Sequence, residues 1–389
     1  MPAGRNPDDP LRVVHLVTRS HRRGAEVFAS ELAAASDALG SENEVHAVAR
    51  AADGQEVPGL PPLVATSRLG IHTYLLSAWR LRRLLARRPA DVVLAHGGWA
   101  ALVIALAVPG STVRVWQRIL GLPLDRWGRV RRGMWRTIAR RFDGVVALTP
   151  DMEAEMRELG YDGPVWPIGN ARDPERFTGV DRLAASRSLR DEIGLGPEVP
   201  LLGFVGHLVD QKDPELAVDV LAEVRRQGSP AHLVMAGAGP RRAAVLQRIH
   251  EHGLQGKVTL LGHRDDPEAV FCGTDLVLIT SRAEGIPGVA IEAQMTGCPV
   301  VTFLLGAVED VVEDGVTGVI VPWREPLLMA DHVAALLADP CRLHEMSIGA
   351  EARALEFTTA STAAIYVKRF NELRAARIEQ AALAIADSA

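Results

Sequence analysis

The chain has 389 residues, 48% of them hydrophobic and 23% charged, with a net charge of −5. That is an ordinary globular make-up with core enough for about two domains, and its charge gives no reason to expect nucleic acid. Three scattered cysteines, Cys272, Cys298 and Cys341, lack CxxC spacing. They argue against a zinc site or a disulfide framework and for a reducing compartment. Cys272 and Cys298 lie in apolar runs and read as core. Met1 to Pro10 is polar and proline-rich, unlike a secretion signal, and the apolar run Ala100 to Val108 is too short for a membrane span. The expected location is the cytoplasm.

Taken in order, the first half alternates. Leu11 to Val17 reads as a buried strand, and Arg22-Arg23-Gly24-Ala25-Glu26 leads into a helix through Leu39. A strand over Asn43 to Ala49, a loop over Pro58 to Pro62 and a helix over Ile71 to Arg88 follow. Asp91 to Ala95 is a strand, and His96-Gly97-Gly98 opens another helix. Next come the strand Thr112 to Trp116, a basic helix reaching Arg141 and the strand Gly144 to Leu148. Thr149-Pro150-Asp151 is a helix start, with Thr149 at the N-cap and Pro150 in the first turn. The strand Val165 to Ile168 ends this half. Ala171 to Pro200 reads as loop and crossing. Six strands then alternate with helices: 201–205, 232–236, 258–261, 276–279, 300–303 and 318–321. Three helical stretches close the chain, at 327–337, 341–356 and 363–378. Such alternation predicts an α/β fold of two doubly wound Rossmann-like domains facing a central cleft, with ligands at the carboxyl ends of the strands. The expected boundaries are 1–170, a crossover at 171–199, 200–360, and a final helix at 361–389.

Chemistry concentrates in Thr280 to Val301, TSRAEGIPGVAIEAQMTGCPVV. Glu284 and Glu292 have seven residues between them; Gly285, Pro287 and Gly288 make the turn, Val289 to Met295 reads as a helix, and Ile286 and Val289 join the three turn residues as donor-binding candidates. A tight loop at a helix N-terminus offers backbone N–H groups to an anion, and flanking carboxylates suit hydroxyls. Phosphate beside sugar hydroxyls describes a nucleotide-sugar. An ordinary turn with two solvated glutamates is the other reading of this stretch alone. Val205-Gly206-His207-Leu208-Val209-Asp210-Gln211-Lys212-Asp213 offers a lysine suited to a diphosphate, or a solvated one. Gly237-Ala238-Gly239-Pro240 lacks the third glycine of a dinucleotide loop, and no GxxxxGK[ST] occurs. Gly262 and His263 follow a strand, where a base could be selected.

Four pieces appear in order: GAEVFASELA, VGHLVDQKD, AGAGP and SRAEGIPGVAIEAQMTGCPVV. Asn170-Ala171-Arg172-Asp173-Pro174-Glu175-Arg176-Phe177 looks like NGVD-x-x-x-F. Together they resemble the family 4 glycosyltransferases of the GT-B fold, retaining enzymes that use nucleotide-sugars. The resemblance implies a C-terminal helix returning to the first domain. It also implies roles: Lys212 on the donor diphosphate, Glu284 with the following amides on the donor sugar and phosphate, Glu292 on the ribose, and Gly24 in a loop reaching the donor from the first domain. The departures are His207 where the family has arginine, Arg23 where it has a first glycine, and Gln117-Arg118 where many members carry histidine. A neutral histidine anchors an anion less well, so either a nearby arginine compensates or His207 is held protonated. His96, Gln117 and Arg118 stand as acceptor-site candidates, with a structural histidine equally open for His96. No DxD triplet is present, and the resemblance implies that metal is dispensable, with a UDP-, GDP- or ADP-sugar as co-substrate and no other cofactor.

The basic helix places Trp127, Val130, Met134 and Ile138 on one face and Arg129, Arg132, Arg136 and Arg140 on the other. The arginine face reads as solvated, as a contact with the inner face of a membrane, or as a site for an anionic acceptor. The expected activity is transfer of a sugar to an acceptor hydroxyl, the acceptor being a small metabolite, a glycan or a lipid-linked molecule. A GT-B epimerase or hydrolase, and a catalytically silent nucleotide-sugar binder, are the rivals.

Overall fold

The computed structural model describes residues 9–20, 24–51, 59–119, 121–122, 124–177, 179–322 and 324–386. Contacts divide the chain into two units, 1–171 with 359–389, and 172–358.

Unit 1 runs β1 (Arg12–Arg19), α1 (Gly24–Ala38), β2 (Glu42–Ala49), β3 (Pro62–Val64), α2 (Ile71–Arg87), β4 (Val92–His96), α3 (Gly98–Ala107), β5 (Val113–Gln117), α4 (Arg129–Ala139), β6 (Gly144–Ala147), α5 (Pro150–Leu159) and β7 (Val165–Pro167). Among the described residues its strands form one parallel sheet, ordered β3-β2-β1-β4-β5-β6-β7. The order reverses between β1 and β4, so the carboxyl ends of those strands flank a crevice. Helices on both faces explain why β4 is buried along its whole length. Thr149 caps α5, its side chain accepting from the Met152 amide as the Thr-Pro start predicts.

Unit 2 runs α6 (Arg182–Ile193), β8 (Leu201–Val205), α7 (Pro214–Arg226), β9 (His232–Ala236), α8 (Arg242–Glu251), β10 (Val258–Gly262), α9 (Pro267–Gly273), β11 (Leu276–Ile279), α10 (Gly288–Met295), β12 (Val300–Phe303), β13 (Gly318–Val321), α11 (Pro326–Leu337) and α12 (Pro340–Ala354). Its sheet order is β10-β9-β8-β11-β12-β13. The reversal here lies between β8 and β11, which pair in parallel. The last helix, α13 (Thr359–Ala386), belongs to unit 1. Its Tyr366 and Phe370 are buried with Phe28 and Leu32 of α1, and Arg377 pairs with Asp143.

The stretch read as a bare crossing contains α6. Asp181 caps that helix by accepting from the Ala184 amide, and Gly194 ends it in the left-handed region. Polar side chains hid the helix: it buries only Leu189 and Arg190. Arg190 donates to the carbonyl of Val199 and to Asp275.

The reading of the basic helix is corrected. α4 buries Trp135, Ile138 and Ala139, whereas Val130 is 89% exposed and Met134 is exposed too. Three of the four arginines of the stripe are engaged by neighbouring groups. Arg132 donates to the Leu124 carbonyl at 2.9 Å and pairs with Glu158, Arg136 donates to the Leu159 carbonyl at 2.8 Å, and Arg140 reaches the Gly160 carbonyl at 3.3 Å. Those last two carbonyls close the C-terminus of α5, where cations are favoured by the helix dipole. Three of the four arginines thus tie α4 to its own entry turn and to α5, while Arg129 is exposed at the helix start. Among the described residues no helix is long and apolar enough to cross a membrane.

Candidate active site

In unit 2 the loops after β8 and β11 lie at the reversal of strand order, where an open α/β sheet leaves its crevice. They bring two of the expected residues into direct contact: Lys212 Nζ is ion-paired with Glu284 Oε1. Ser281 Oγ donates to the same oxygen at 2.7 Å. Both partners are mostly buried, so the pair is held rather than solvated.

The loops are laced together by residues that the sequence did not single out. Thr280 Oγ1 lies within 3.0 Å of the Lys212 carbonyl and 2.9 Å of the Asp213 carbonyl. Gln211 Nε2 donates to the Ala283 carbonyl, and the Arg282 amide donates to the Gln211 carbonyl. Asp213 has φ 46°, the one non-glycine residue with positive φ among those described. Such a conformation costs on the order of 1–3 kcal/mol and persists only where surroundings enforce it. The enforcement is visible: the Asp213 carboxylate pairs with Arg282 and Arg324, and Arg324 Nη1 donates to the Thr280 and Ser281 carbonyls. The turn at Asp213 delivers Lys212 to Glu284. Its left-handed aspartate has no sequence signature, and Arg324 lies 111 residues away.

α10 begins at Gly288 after Pro287, with no side-chain cap. The Ala290 amide donates to the Pro287 carbonyl at 3.0 Å, and the first amides of a helix are where an anion is favoured. Glu292, one turn on, is bonded to Arg172, whose Nε lies 2.5 Å from Oε1. The Gly306 backbone comes so close to the start of this loop that a Cβ there would lie 2.3 Å from the Glu284 carbonyl oxygen.

His207 Nδ1 donates to the Ala238 carbonyl at 3.2 Å. A neutral His207 thus presents a lone pair at Nε2, and it meets an anion with a proton only as imidazolium. Gly206 and Gly237 sit where the loops after β8 and β9 touch, and Gly239 packs on Leu208. His263 Nε2 stands 3.6 Å from Asp265. In unit 1, Gly24 is the exposed first residue of α1, and Arg23 lies outside the described residues.

The acceptor candidates His96, Gln117 and Arg118 are all buried in unit 1. Arg118 pairs with Glu155 at 2.7 Å and lies over the Trp116 ring. His96 ends a chain of hydrogen bonds that runs through His15 and Asn43 to Asp37. Asn43 Nδ2 donates to Asp37, so its Oδ1 accepts from His15 Nε2 at 2.9 Å. His15 Nδ1 then accepts from His96 Nε2 at 3.1 Å, leaving His96 Nδ1 as an acceptor. Burial, opposed by Asn43 and Asp37, lowers the His15 pKa to about 4. Burial and then His15 hold His96 well below the usual histidine range, with Gln117 opposing.

The depressed pKa of His15 makes stability depend on pH. The unfolded chain takes up a proton on His15 near 6.5 and the folded chain only near 4. Stability is therefore full above pH 6.5 and is lost as pH falls towards 4, a loss on the order of 3 kcal/mol in all. Urea unfolding at pH 7.5 and pH 5 should show the wild type losing more than a His15→Gln variant. Equal losses would refute the role of the buried histidine.

Comparison with known proteins agrees with this architecture. Residues 23–171 match the model "Glycosyl transferase 4-like domain" and residues 199–339 the model "Glycosyl transferases group 1". The D-inositol 3-phosphate glycosyltransferase of Nocardia farcinica is 36% identical over 242 residues, covering 59% of this chain and 52% of that protein. The chain thus spans about half the length of that relative. The 2-deoxystreptamine glucosyltransferase of Streptomyces kanamyceticus is 27% identical over 347 residues, 82% of this chain and 86% of that one. Anabaena Alr3699/HepE in complex with UDP-glucose superposes with a TM-score of 0.78 at 20% identity, covering 93% of this chain and 100% of that one, a likeness of fold.

Proposed function

Given that the chain belongs to the group 1 glycosyltransferases of the GT-B fold, we propose that it moves a sugar from a nucleotide-diphosphate sugar to an acceptor hydroxyl, with retention of configuration. The observation that carries this is the Lys212–Glu284 pair at the strand reversal of unit 2, followed directly by the uncapped start of α10. Breaking the sugar–phosphate bond builds charge on the departing diphosphate. A lysine and a helix N-terminus fixed beforehand stabilise that charge without reorganising, which is where most of such a rate enhancement arises. Glu284, already oriented by Ser281, takes the hydroxyls of the sugar, and Glu292 those of the ribose. Uridine is the first base to try, because the neighbouring fold is known with UDP-glucose. Inositol 3-phosphate and 2-deoxystreptamine, which name two relatives, are both polyhydroxylated six-membered carbocycles. A cyclitol is therefore the first acceptor class to try.

Thermal shift with UDP, GDP, ADP and their glucose conjugates tests the donor reading. A matched ligand at 100 times its dissociation constant stabilises a protein by about 2.7 kcal/mol. No shift with any of them overturns the reading. Product analysis with donor alone and with cyclitols separates transfer from hydrolysis or epimerisation. The two glutamates should also part by ligand. Glu292→Ala should weaken nucleoside diphosphate and intact donor alike, whereas Glu284→Ala should chiefly weaken the sugar-bearing donor. Calorimetry with both ligands decides, and equal losses in all four titrations would remove the assignment.

A further inference from the structure

Arg172 occupies the third place of the stretch that resembles NGVD-x-x-x-F, where that pattern has valine. Its position is set by the backbone: its amide donates to the Phe357 carbonyl at 2.9 Å, and it bridges to Thr358. The side chain runs into unit 2 and is only 4% exposed. Its Nε lies 2.5 Å from Glu292 Oε1. Its Nη2 lies against Gly288, so closely that a Cβ on that glycine would stand 1.8 Å away. The guanidinium is thus packed beneath the first residue of α10 and bonded to the carboxylate one turn further along. Valine would be too short to reach Glu292 and would leave its carboxylate without this bond.

We propose that Arg172 is a positioning residue for nucleotide recognition, fixing the Glu292 carboxylate so that it selects a ribose diol. The inference rests on the reading of Glu292 as the ribose contact. An ionised carboxylate has about four acceptor sites, so a bond to Arg172 on Oε1 still leaves acceptor capacity for hydroxyls. What the arginine removes is rotational freedom, and a rigid charge-assisted bond does so with defined geometry. The pair is neutral as a whole, so Arg172 does not replace the diphosphate cation that position 207 lacks. Its effect is on discrimination, because a site built to bond hydroxyls rejects analogues without them only when its acceptors are held in place.

The test measures dissociation constants of the full chain for UDP, GDP and ADP, for their 2′,3′-dideoxy counterparts, and for inorganic pyrophosphate. The wild type should prefer its matched ribonucleotide over the dideoxy form tenfold or more. Arg172→Val should cut that preference at least fivefold while pyrophosphate binding stays within twofold, and Arg172→Lys should restore part of it. A merely structural role would instead weaken all three ligands together. Should Arg172→Val fail to fold, Gly288→Ala, which displaces the guanidinium without removing it, carries the same expected loss of preference. If Glu292→Ala abolishes the preference and Arg172→Val leaves it intact, this inference falls and the ribose reading stands. If Glu292→Ala leaves it intact, or the wild type binds none of the ribonucleotides, the ribose reading falls and takes this inference with it.

Discussion

Lys212→Ala should lower turnover a hundredfold or more while weakening donor binding much less. The basis is the loss of one fixed charge that acts mainly on the departing diphosphate, and a single such group is typically worth about 10²–10³ in rate. A second effect adds to it. Glu284 is the ion-pair partner of Lys212 and is itself mostly buried, so the substitution leaves its carboxylate with Ser281 as its described side-chain donor. A buried carboxylate stripped of its cation is destabilised, and its orientation towards the sugar loosens. Lys212→Arg keeps the charge but exchanges a compact ammonium for a planar fork, so it should recover only part of the rate. Steady-state kinetics with a matched donor and acceptor would check this. A Lys212→Ala enzyme with turnover within threefold of the wild type would end the role proposed for the lysine.

The strands and most helices were legible because apolar runs separated by glycine and proline leave little choice. The six strands expected in unit 2 are found within one residue of their expected ends. What periodicity misread was α4. Trp127, Val130, Met134 and Ile138 at helical spacing suggested one buried face; Trp127 and Ile138 are buried, but Val130 and Met134 are exposed and Trp135 is buried instead. The arginines looked like a surface because sequence cannot show that three of them reach carbonyls of the Leu124 turn and the end of α5. The same limit applies to the donor site. Lys212, Glu284 and Glu292 were visible as residue types in a glycine-rich context. The residues that aim them, Asp213, Thr280, Arg324 and Arg172, were not, because their meaning lies in contacts 43 to 120 residues away in the chain. His207 shows the reverse: its departure from arginine was visible, but its bond to the Ala238 carbonyl was not.

Gly237→Ala should destabilise unit 2 by about 3 kcal/mol or more, the sum of a strained backbone and an overpacked contact. The AGAGP loop read as a weak ligand motif, and the structure gives its glycine a mechanical reason. Gly237 has φ 153°, and a Cβ on it would lie 1.9 Å from the Gly206 carbonyl oxygen. Around that contact the loops after β8 and β9 continue to pair beyond their strands. The Gly206 amide donates to the Ala236 carbonyl at 2.9 Å, and the Leu208 amide to the Ala238 carbonyl at 3.0 Å. The Gly237 amide donates to the Gly262 carbonyl at 2.6 Å. No flexible side chain can yield here, because the obstructing atom is backbone. The seam must open, and the loop it holds is the one that carries Lys212, so donor affinity should fall with stability. Gly262→Ala is the control. Gly262 has φ 73° but nothing within 4 Å of the added carbon, so only the left-handed cost of about 1–2 kcal/mol applies. For a unit of this size about 3 kcal/mol lowers the melting temperature by roughly 6–12 °C. Scanning calorimetry on both variants separates contact from conformation. Similar shifts for the two would mean that the close approach of Gly206 and Gly237 is not what holds the loops together.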